Sequence, residues 1–526
     1  MSNFIYILIT LIFMALSIVY VKNVLHVFQQ NRYELYRYTE WLLDKNNYHY
    51  SKSVTYIILM FISFFMPVSL KMGIVLTITI IFTILCLLEE KDIEYVKPLV
   101  YTDRVKRQII VYTIFSFIIT FLLVKLCWLS FHGVGLVGII SILLPYVLIY
   151  LVALATRPIE DAVKKKYENE ARDILYSYND LIKIGITGSF GKTTTKNVVN
   201  DIISEKYYTL ITPASYNTPM GITRTIRELF KPIYQVFVCE MGADHVGEIS
   251  YLMDFVKPKY GIVTSIGPQH LNTFGSLDNI IKEKMQEIEM LPKDGVGIIN
   301  IDNEYIRNYK INNTCKIVTI CIDSSDADYK AYYIKYSNKG TSFRVKLDGK
   351  VVTFKTILLG SHNVANILCG IALAKELGLS NEEIVRGVSN IKQVEHRLQI
   401  KNINGYTFID NAFNSNPVGC KRSLDVLSLM NGKRVIVTPG LVDLGKEEDN
   451  ANYEFGKYMN TRADFAILVG EKNTKSIYNG LKDGDFDMNN VKVVNSEKEA
   501  FSFVYANFTV KDTILLENDL PDAFLH

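Results

Sequence analysis

The sequence predicts an α/β protein with a phosphate-loop central domain and a second, Rossmann-like domain, preceded by an all-α membrane domain of about five transmembrane helices. Three features carry that expectation. From residue 182 short apolar segments alternate with amphipathic ones, as buried parallel strands alternate with covering helices. The first of these runs into the glycine-rich turn "ITGSFGKTTTK" (186–196). Ahead of both, five apolar runs fall within the first 155 residues.

The chain has 526 residues, and length alone predicts roughly three units. Its net charge of +3 gives no global electrostatic basis for binding nucleic acid. The apolar runs, at about 4–21, 54–70, 72–88, 109–124 and 134–155, approach the roughly 17–25 residues a helix needs to cross a bilayer. No basic stretch precedes the first run and no small-residue cleavage site comes after it, so it reads as a retained anchor. Residues 1–156 thus form the expected membrane domain.

Charge orients the set. The segment after the first run carries Lys22, Arg32, Arg37, Lys45 and Lys52, and that after the third carries Lys91, Lys97, Arg104, Lys106 and Arg107. The short turns hold only Lys71 and Lys125. The positive-inside rule makes the long basic loops cytoplasmic, the N-terminus external and everything after residue 156 cytoplasmic, in a multi-pass protein of the cell membrane. The seven cysteines form no CxxC pair, as expected of small buried hydrophobes in a reducing compartment.

Residues 157–181, which begin with "RPIEDAVKKKYENEARDIL", predict a charged juxtamembrane helix. The central domain, 182–394, contains the strands "IKIGIT", "QVFVCEM", "KYGIVTSI" and "GVGIIN", the helix "SLDNIIKEKMQEIEML", and an antiparallel addition over 329–358 with a turn at "NKG". The C-terminal domain, 395–526, contains "YTFID", "KRVIVTP", "DFAILVG" and "TILLEN".

The glycine-rich turn has a chemical reading. At Gly188 and Gly191 the missing side chains let backbone N–H groups approach phosphate oxygens. Lys192 opens a helix whose N-terminus favours anions, and Thr193 offers a hydroxyl to Mg²⁺. Ile186 stands where the general phosphate-loop pattern has its first glycine.

With "SYNTPMGI" (215–222), "CEMGADHVGEI" (239–249), "TSIGPQHLNTFGSLDNIIKEKMQEI" (264–288), "GSHNVANILCGIALA" (360–374), "EHRL" (395–398) and "DNAFNSNP" (410–417), this loop resembles the ordered motifs of the Mur ligase family, above all its D-alanyl-D-alanine-adding branch. These seven matches cover about 240 residues. The resemblance implies that ATP phosphorylates a substrate carboxylate and that an amine then attacks the acyl phosphate, giving an amide, ADP and phosphate. It implies nucleotide contacts from Gly188, Ser189, Gly191, Lys192, Thr193, Thr194, Asn363, Asn366, Asp410 and Asn411. It further implies two Mg²⁺ ions, held by Thr193 and Glu240 and by His270 and a CO₂-carbamoylated Lys284, with Lys192 and Arg397 facing the phosphates. Lys282 is the competing lysine, and the spacing of eight from Ser276 favours Lys284.

The chain also departs from the family. Asn411 replaces the second aspartate of the "DDxYNANP" motif, "PGLVDLG" (439–445) replaces "GDMLELG", and "LENDLPD" (516–522) replaces a "KGS" stretch. Apolar helices stand where the family has a UDP-sugar-binding domain. The expected acceptor is therefore a carboxylate-bearing cell-wall or glycan precursor, lipid-linked and at the membrane, with a soluble UDP-muramoyl peptide as the alternative. The expected donor is an amino acid or short peptide amine. A transporter-driving ATPase is disfavoured because no "LSGGQ"-like signature is present and the apolar runs hold almost no charge. A nucleotide-binding scaffold is disfavoured by the joint presence of Lys192, Thr193, Glu240, His270 and Lys284.

Overall fold

A computed structural model describes residues 3–43, 51–90, 98–128, 133–324, 326–337, 339–412, 416–442, 444 and 447–518. Lys45, Lys91, Lys97, residues 413–415 of "DNAFNSNP", and positions 519–522 of "LENDLPD" lie outside the described residues. The chain divides into two compact units, one built from residues 1–165 and the other from 166–520.

The first unit is helical: α1 (Asn3–Gln30), α2 (Leu35–Leu43), α3 (Ser51–Ile62), α4 (Val68–Glu90), α5 (Asp103–Trp128) and the start of α6 (Val134–Ser177). Among the described residues, four helices are long and apolar enough to cross a membrane: those at Asn3–Gln30, Leu70–Leu88, Asp103–Cys127 and Val134–Ser177. The expected second span over 54–70 is shorter than predicted. It folds as α3 and one 3₁₀ turn, Ser63–Phe65, and stops before Pro67. Pro67 has no N–H to continue a helix and disfavours helical backbone at the residue before it; Met66 is extended, with φ −84° and ψ 152°. The short helix packs as a hairpin on α4, with Tyr56 stacked on Phe82 at 4.5 Å and its hydroxyl 2.9 Å from that of Thr79. The expected separate helix over 157–181 is instead the continuation of α6, which runs unbroken through Pro158 to Ser177.

The second unit holds two sheets. The first contains β1 (Ile182–Thr187), β2 (Thr209–Ile211), β3 (Val236–Glu240), β4 (Tyr260–Val263), β5 (Val296–Asn300), β6 (Lys316–Cys321), β7 (Tyr329–Ser337), β8 (Gly340–Leu347) and β9 (Lys350–Thr356), in the order β2-β3-β1-β4-β5-β6-β7-β8-β9. Pairing is parallel from β2 through β7 and antiparallel from β7 to β9. The antiparallel addition is thus three strands that extend the main sheet.

Helices cover both faces of this sheet. The helices Lys192–Ile203, Ser361–Glu376 and Asn381–Ser389 close one apolar core, and Pro219–Leu229, Glu248–Val256 and Leu277–Glu289 close the other. The parallel strands read as continuous apolar runs because both of their faces are buried.

The second sheet contains β10 (Gln399–Ile403), β11 (Tyr406–Asn411), β12 (Arg434–Thr438), β13 (Phe465–Val469), β14 (Val491–Val494) and β15 (Thr513–Glu517), in the order β10-β11-β15-β12-β13-β14. All its pairs are parallel except β10 with β11. Its core lies on both faces, under Pro417–Leu427, Glu448–Met459 and Glu471–Asp483 on one side and Glu497–Asn507 on the other. In both sheets the C-terminal ends of the parallel strands carry the motif residues, where open α/β sheets bind ligands.

Candidate active site

The glycine-rich turn leaves β1 and enters the helix Lys192–Ile203. Gly188 has φ +144°, and a Cβ there would sit 2.2 Å from Thr264 Oγ1. Gly191 caps the helix at φ +86°, where a Cβ would lie 2.9 Å from Asn366 Oδ1. Both positions therefore require glycine on conformational and steric grounds. Ser189 braces the loop: its hydroxyl donates to Gly267 O at 2.9 Å and accepts from Gly267 N–H at 3.1 Å. Thr194 is half-buried in the first turn of the helix.

Parallel pairing sets Glu240 opposite Ile186, one residue before the end of β1, so this carboxylate reaches the mouth of the turn. It is 1% exposed. Its Oε1 accepts from Thr193 Oγ1 at 3.2 Å and from Asn217 Nδ2 at 3.1 Å, while its Oε2 is 3.1 Å from Lys196 Nζ. Thr193 and Glu240 thus present adjacent hard oxygen donors, a set suited to Mg²⁺.

Lys192 Nζ donates to Gly188 O at 2.7 Å and Ser189 O at 3.3 Å. Burial pushes its ammonium down to about 8, opposed by the charge of Glu240 and reinforced by that of Arg397. Arg397 is half-buried; burial lowers its pKa while Glu240 raises it. Arg397, at the start of the second domain, thus lies close enough to the phosphate loop for its charge to act on Lys192 and for that of Glu240 to act on it.

Lys284 is 2% exposed, on the buried face of Leu277–Glu289, whereas Lys282 is exposed. Lys284 Nζ donates to Ala243 O at 2.9 Å and lies 5.5 Å from the Phe274 ring centroid. Burial and the charge of Lys192 push it down to about 7, against Glu283, Glu248 and Asp244. A largely desolvated amine near that value is nucleophilic at neutral pH. His270 is exposed, in left-handed conformation at φ 56°, at the N-cap of the short helix Leu271–Phe274. Its carbonyl accepts from Thr273 and Phe274 N–H.

Asn363 and Asn366 share a buried face of Ser361–Glu376, and Asn366 Nδ2 donates to Asn363 Oδ1 at 3.3 Å. Both are engaged with the protein here: Asn363 Nδ2 donates to Leu359 O, and Asn366 Oδ1 accepts from Thr195 Oγ1 at 3.1 Å. Asp410 and Asn411 end β11 in the second sheet. Asp410 holds His396 Nδ1 at 2.8 Å and Lys401 Nζ at 2.5 Å. Asn411 Nδ2 donates to both oxygens of the buried Glu517, each at 3.0 Å.

Sequence reasoning missed Lys196, Thr195, Asn217 and Glu517. The first carried a signal, because a lysine four residues after Lys192 shares its helix face. It also passed over Asp244, His245 and Glu248, whose ligand atoms lie within 4.8 Å of one another beside the Ala243 carbonyl that holds Lys284. Glu248 Oε2 already accepts from the N–H groups of Asp244 and His245, at 2.7 and 2.9 Å.

Similarity to known proteins respects the same boundaries. Residues 186–374 match the Mur ligase middle domain and residues 396–517 the Mur ligase glutamate ligase domain. UDP-N-acetylmuramoyl-tripeptide--D-alanyl-D-alanine ligase of Escherichia coli K12 is 30% identical over 292 residues, 55% of this chain and 64% of that protein. The enzyme of the same name from Bacillus subtilis 168 is 28% identical over 338 residues, 64% and 72% of the respective chains. This chain therefore spans somewhat under two thirds of the length of its Escherichia coli relative. Crystal structure I of MurF from Acinetobacter baumannii superposes with a TM-score of 0.61 at 24% identity, covering 69% of this chain and 78% of that one. MurF of Thermotoga maritima in complex with ADP gives 0.61 at 19%, covering 69% and 81%. At those identities the likeness establishes the fold, and the two family matches, laid end to end across both sheets, establish the lineage: this chain belongs to the Mur ligase family.

Proposed function

We propose that the protein is an ATP-dependent, ADP-forming ligase of a cell membrane, joining a substrate carboxylate to the amine of an amino acid or short peptide in cell-wall or surface-glycan synthesis. One observation carries the reading: a phosphate loop whose Thr193 and Glu240 present hard oxygen donors, with the buried amine of Lys284 close enough to feel the charge of Lys192.

The proposed chemistry has two steps. A carboxylate oxygen attacks the terminal phosphorus of ATP and the bond to ADP breaks. The amine nitrogen then attacks the acyl carbon, phosphate leaves, and the nitrogen loses a proton. Both steps concentrate negative charge where Lys192 and Arg397 lie. Backbone N–H groups between Gly188 and Thr193 would cradle the phosphates, and Lys192 would exchange its loop carbonyls for phosphate oxygens. Asn363 and Asn366 would take the nucleotide side, and Asp410 and Asn411 would approach it from the second domain.

Thr193 and Glu240 fit one Mg²⁺, and Lys284 as its carbamate would fit a second together with His270; when bound, these ions supply positive charge against the transferring phosphoryl group. Carbamoylation needs a neutral amine to attack CO₂ and lose a proton. The burial that lowers the pKa of Lys284 supports that reaction.

The names of the relatives say that they act on a UDP-N-acetylmuramoyl tripeptide and D-alanyl-D-alanine. For this chain we favour a lipid-linked acceptor, because four helices of membrane-crossing length lie among the described residues of the N-terminal part of the chain and membrane confinement raises effective concentration. The loop charges support an external N-terminus and a cytoplasmic catalytic unit.

Purified full-length protein in detergent, given ATP, Mg²⁺, an amine and either a lipid-linked or a soluble UDP-muramoyl peptide, tests the reading. ADP release should require acceptor and amine together and should favour the lipid-linked acceptor. Steady ADP release with neither would return the protein to the ATPase reading.

A further inference from the structure

The helical unit carries polar side chains that ligation does not use. On α5, Arg104, Gln108, Tyr112, Ser116 and Thr120 recur every four residues and so share one helix face. All but Arg104 are buried. That face turns into the unit, where Tyr112 shares an apolar core with Val24 and Phe28 of α1 and Ile149 of α6.

Tyr112 is satisfied there, hydrogen-bonded to the Ser17 hydroxyl. Gln108 is not. It is 0% exposed, yet neither its Oε1 nor its Nε2 has a partner among the described residues. One turn toward the start of the helix, Arg104 Nε is also buried without a partner among them, while its guanidinium lies 3.9 Å from the Tyr33 ring centroid. Two acids on α6 act on Arg104, and each already faces another arginine: Glu160 holds Arg107 through both oxygens, at 2.7 and 2.8 Å, and Asp161 lies 3.6 Å from Arg157 Nε.

An unpaired primary amide in an apolar bundle costs several kcal/mol, which leucine at the same position would avoid. Such a cost points to a ligand that completes the bonds. The first turn of α5, with Asp103, Arg104, Lys106 and Arg107, is its charged end, where a spanning helix meets water. Basic pockets between helices at that depth take anionic headgroups.

We propose that Arg104 and Gln108, on the inward face of α5, form a binding site for a phosphate-bearing lipid headgroup. The guanidinium supplies charge and a planar fork for phosphate oxygens, held in plane by Tyr33. The amide of Gln108 supplies a donor to a phosphate oxygen and an acceptor for a neighbouring hydroxyl. The site rests on the membrane placement proposed above and is independent of the ligase activity.

The test is equilibrium binding of a tail-labelled fluorescent phosphatidic acid to the full-length protein in detergent micelles, read by anisotropy without ATP, acceptor or amine. Unlabelled phosphatidic acid should compete, whereas diacylglycerol with the same tails and inorganic phosphate should not. Arg104→Gln and Gln108→Leu should each weaken binding about tenfold, the worth of a lost charge-assisted bond. Gln108→Leu removes an unpaired buried amide, so it should also melt higher than the wild type without lipid, which shows that it folds. Lys106→Gln, an exposed neighbour, should bind as the wild type does. Equal binding of diacylglycerol, unchanged affinity in both variants, competition by inorganic phosphate, or an equal loss in Lys106→Gln would each overturn the proposal. Because the assay contains no substrates of ligation, its failure leaves the ADP-release result standing, and failure of ADP release leaves this one standing.

Discussion

Lys196 Nζ lies 3.1 Å from Glu240 Oε2, and both side chains are 1% exposed. The carboxylate proposed to meet a metal ion is thus held by an internal cation, with Thr193 and Asn217 bonding its other oxygen. Removing one partner of a buried pair leaves an uncompensated charge and costs about 3–5 kcal/mol. Lys196→Met should therefore lower the melting temperature sharply, and Mg²⁺ should restore more stability to this variant than to the wild type. Melting at the wild-type temperature would show that the pair does not hold Glu240.

Asn411 explains one departure from the family pattern. Its amide donates to both oxygens of Glu517, which also accepts from Ser423 Oγ. An aspartate at 411, as in the family motif, would face a buried carboxylate with one of its own. Asn411→Asp should destabilise the second domain by about 1–3 kcal/mol, and Glu517→Gln should recover most of that loss. Thermal unfolding of the two single variants and the double variant measures the coupling, and additive effects would contradict it.

Glu287 carries a pH dependence. It is fully buried on Leu277–Glu289, neither oxygen has a partner among the described residues, and burial pushes its carboxyl up to about 8. It fits a notch made by two glycines on adjacent strands: a Cβ at Gly185 would lie 1.9 Å from its Oε1, and one at Gly261 3.3 Å from its Cγ. The folded state keeps the proton to about pH 8, whereas the unfolded chain releases it near the ordinary value of 4.5. Stability should therefore fall as pH rises through that window. Glu287→Met should flatten this slope and stabilise the protein by several kcal/mol at pH 8, and by little near pH 4. A pH–stability curve parallel to that of the wild type would contradict the assignment.

In the proposed membrane placement, the short helix α3 decides the parity of the crossing. With its 3₁₀ turn it covers residues 51–65. Fifteen helical residues reach about 22 Å, against a hydrocarbon core of about 30 Å. If α3 crosses, five passes place the N-terminus opposite the catalytic unit; if it does not, four place them together. The loop charges predict five. A cysteine introduced at position 2 and one at 130–133 should both be labelled from outside intact cells and one at 95–100 should not; protection at position 2 with labelling at 130–133 would mean that α3 does not cross, and labelling at 95–100 alone would overturn the orientation.

The parallel strands that sequence reasoning located, such as "IKIGIT" and "DFAILVG", are buried on both faces, so that composition marks them, whereas the half-exposed antiparallel strands over 329–358 were marked by alternation. Those it passed over are short or half-exposed: β2 has three residues, and β10 ends in exposed Asn402 and Ile403. The span at 54–70 was over-read because hydropathy does not register the break that Pro67 imposes. Within the site, glycines and motif residues were legible from local pattern. The donors that hold Glu240 and Glu517 were not, since Asn217 and Ser423 meet them only across the fold. Burial separates Lys284 from Lys282, and sequence spacing only favoured it.

The central claim, an ATP-driven ligase organised around Lys284, is tested most directly by steady-state ADP release in the presence of acceptor and amine by Lys284→Ala and Lys282→Ala. The buried lysine should be indispensable, with activity reduced by about a thousandfold or more and partly rescued by a short carboxylic acid standing in for the proposed carbamate. Lys282→Ala should turn over as the wild type does. Wild-type ADP release by Lys284→Ala would contradict the account.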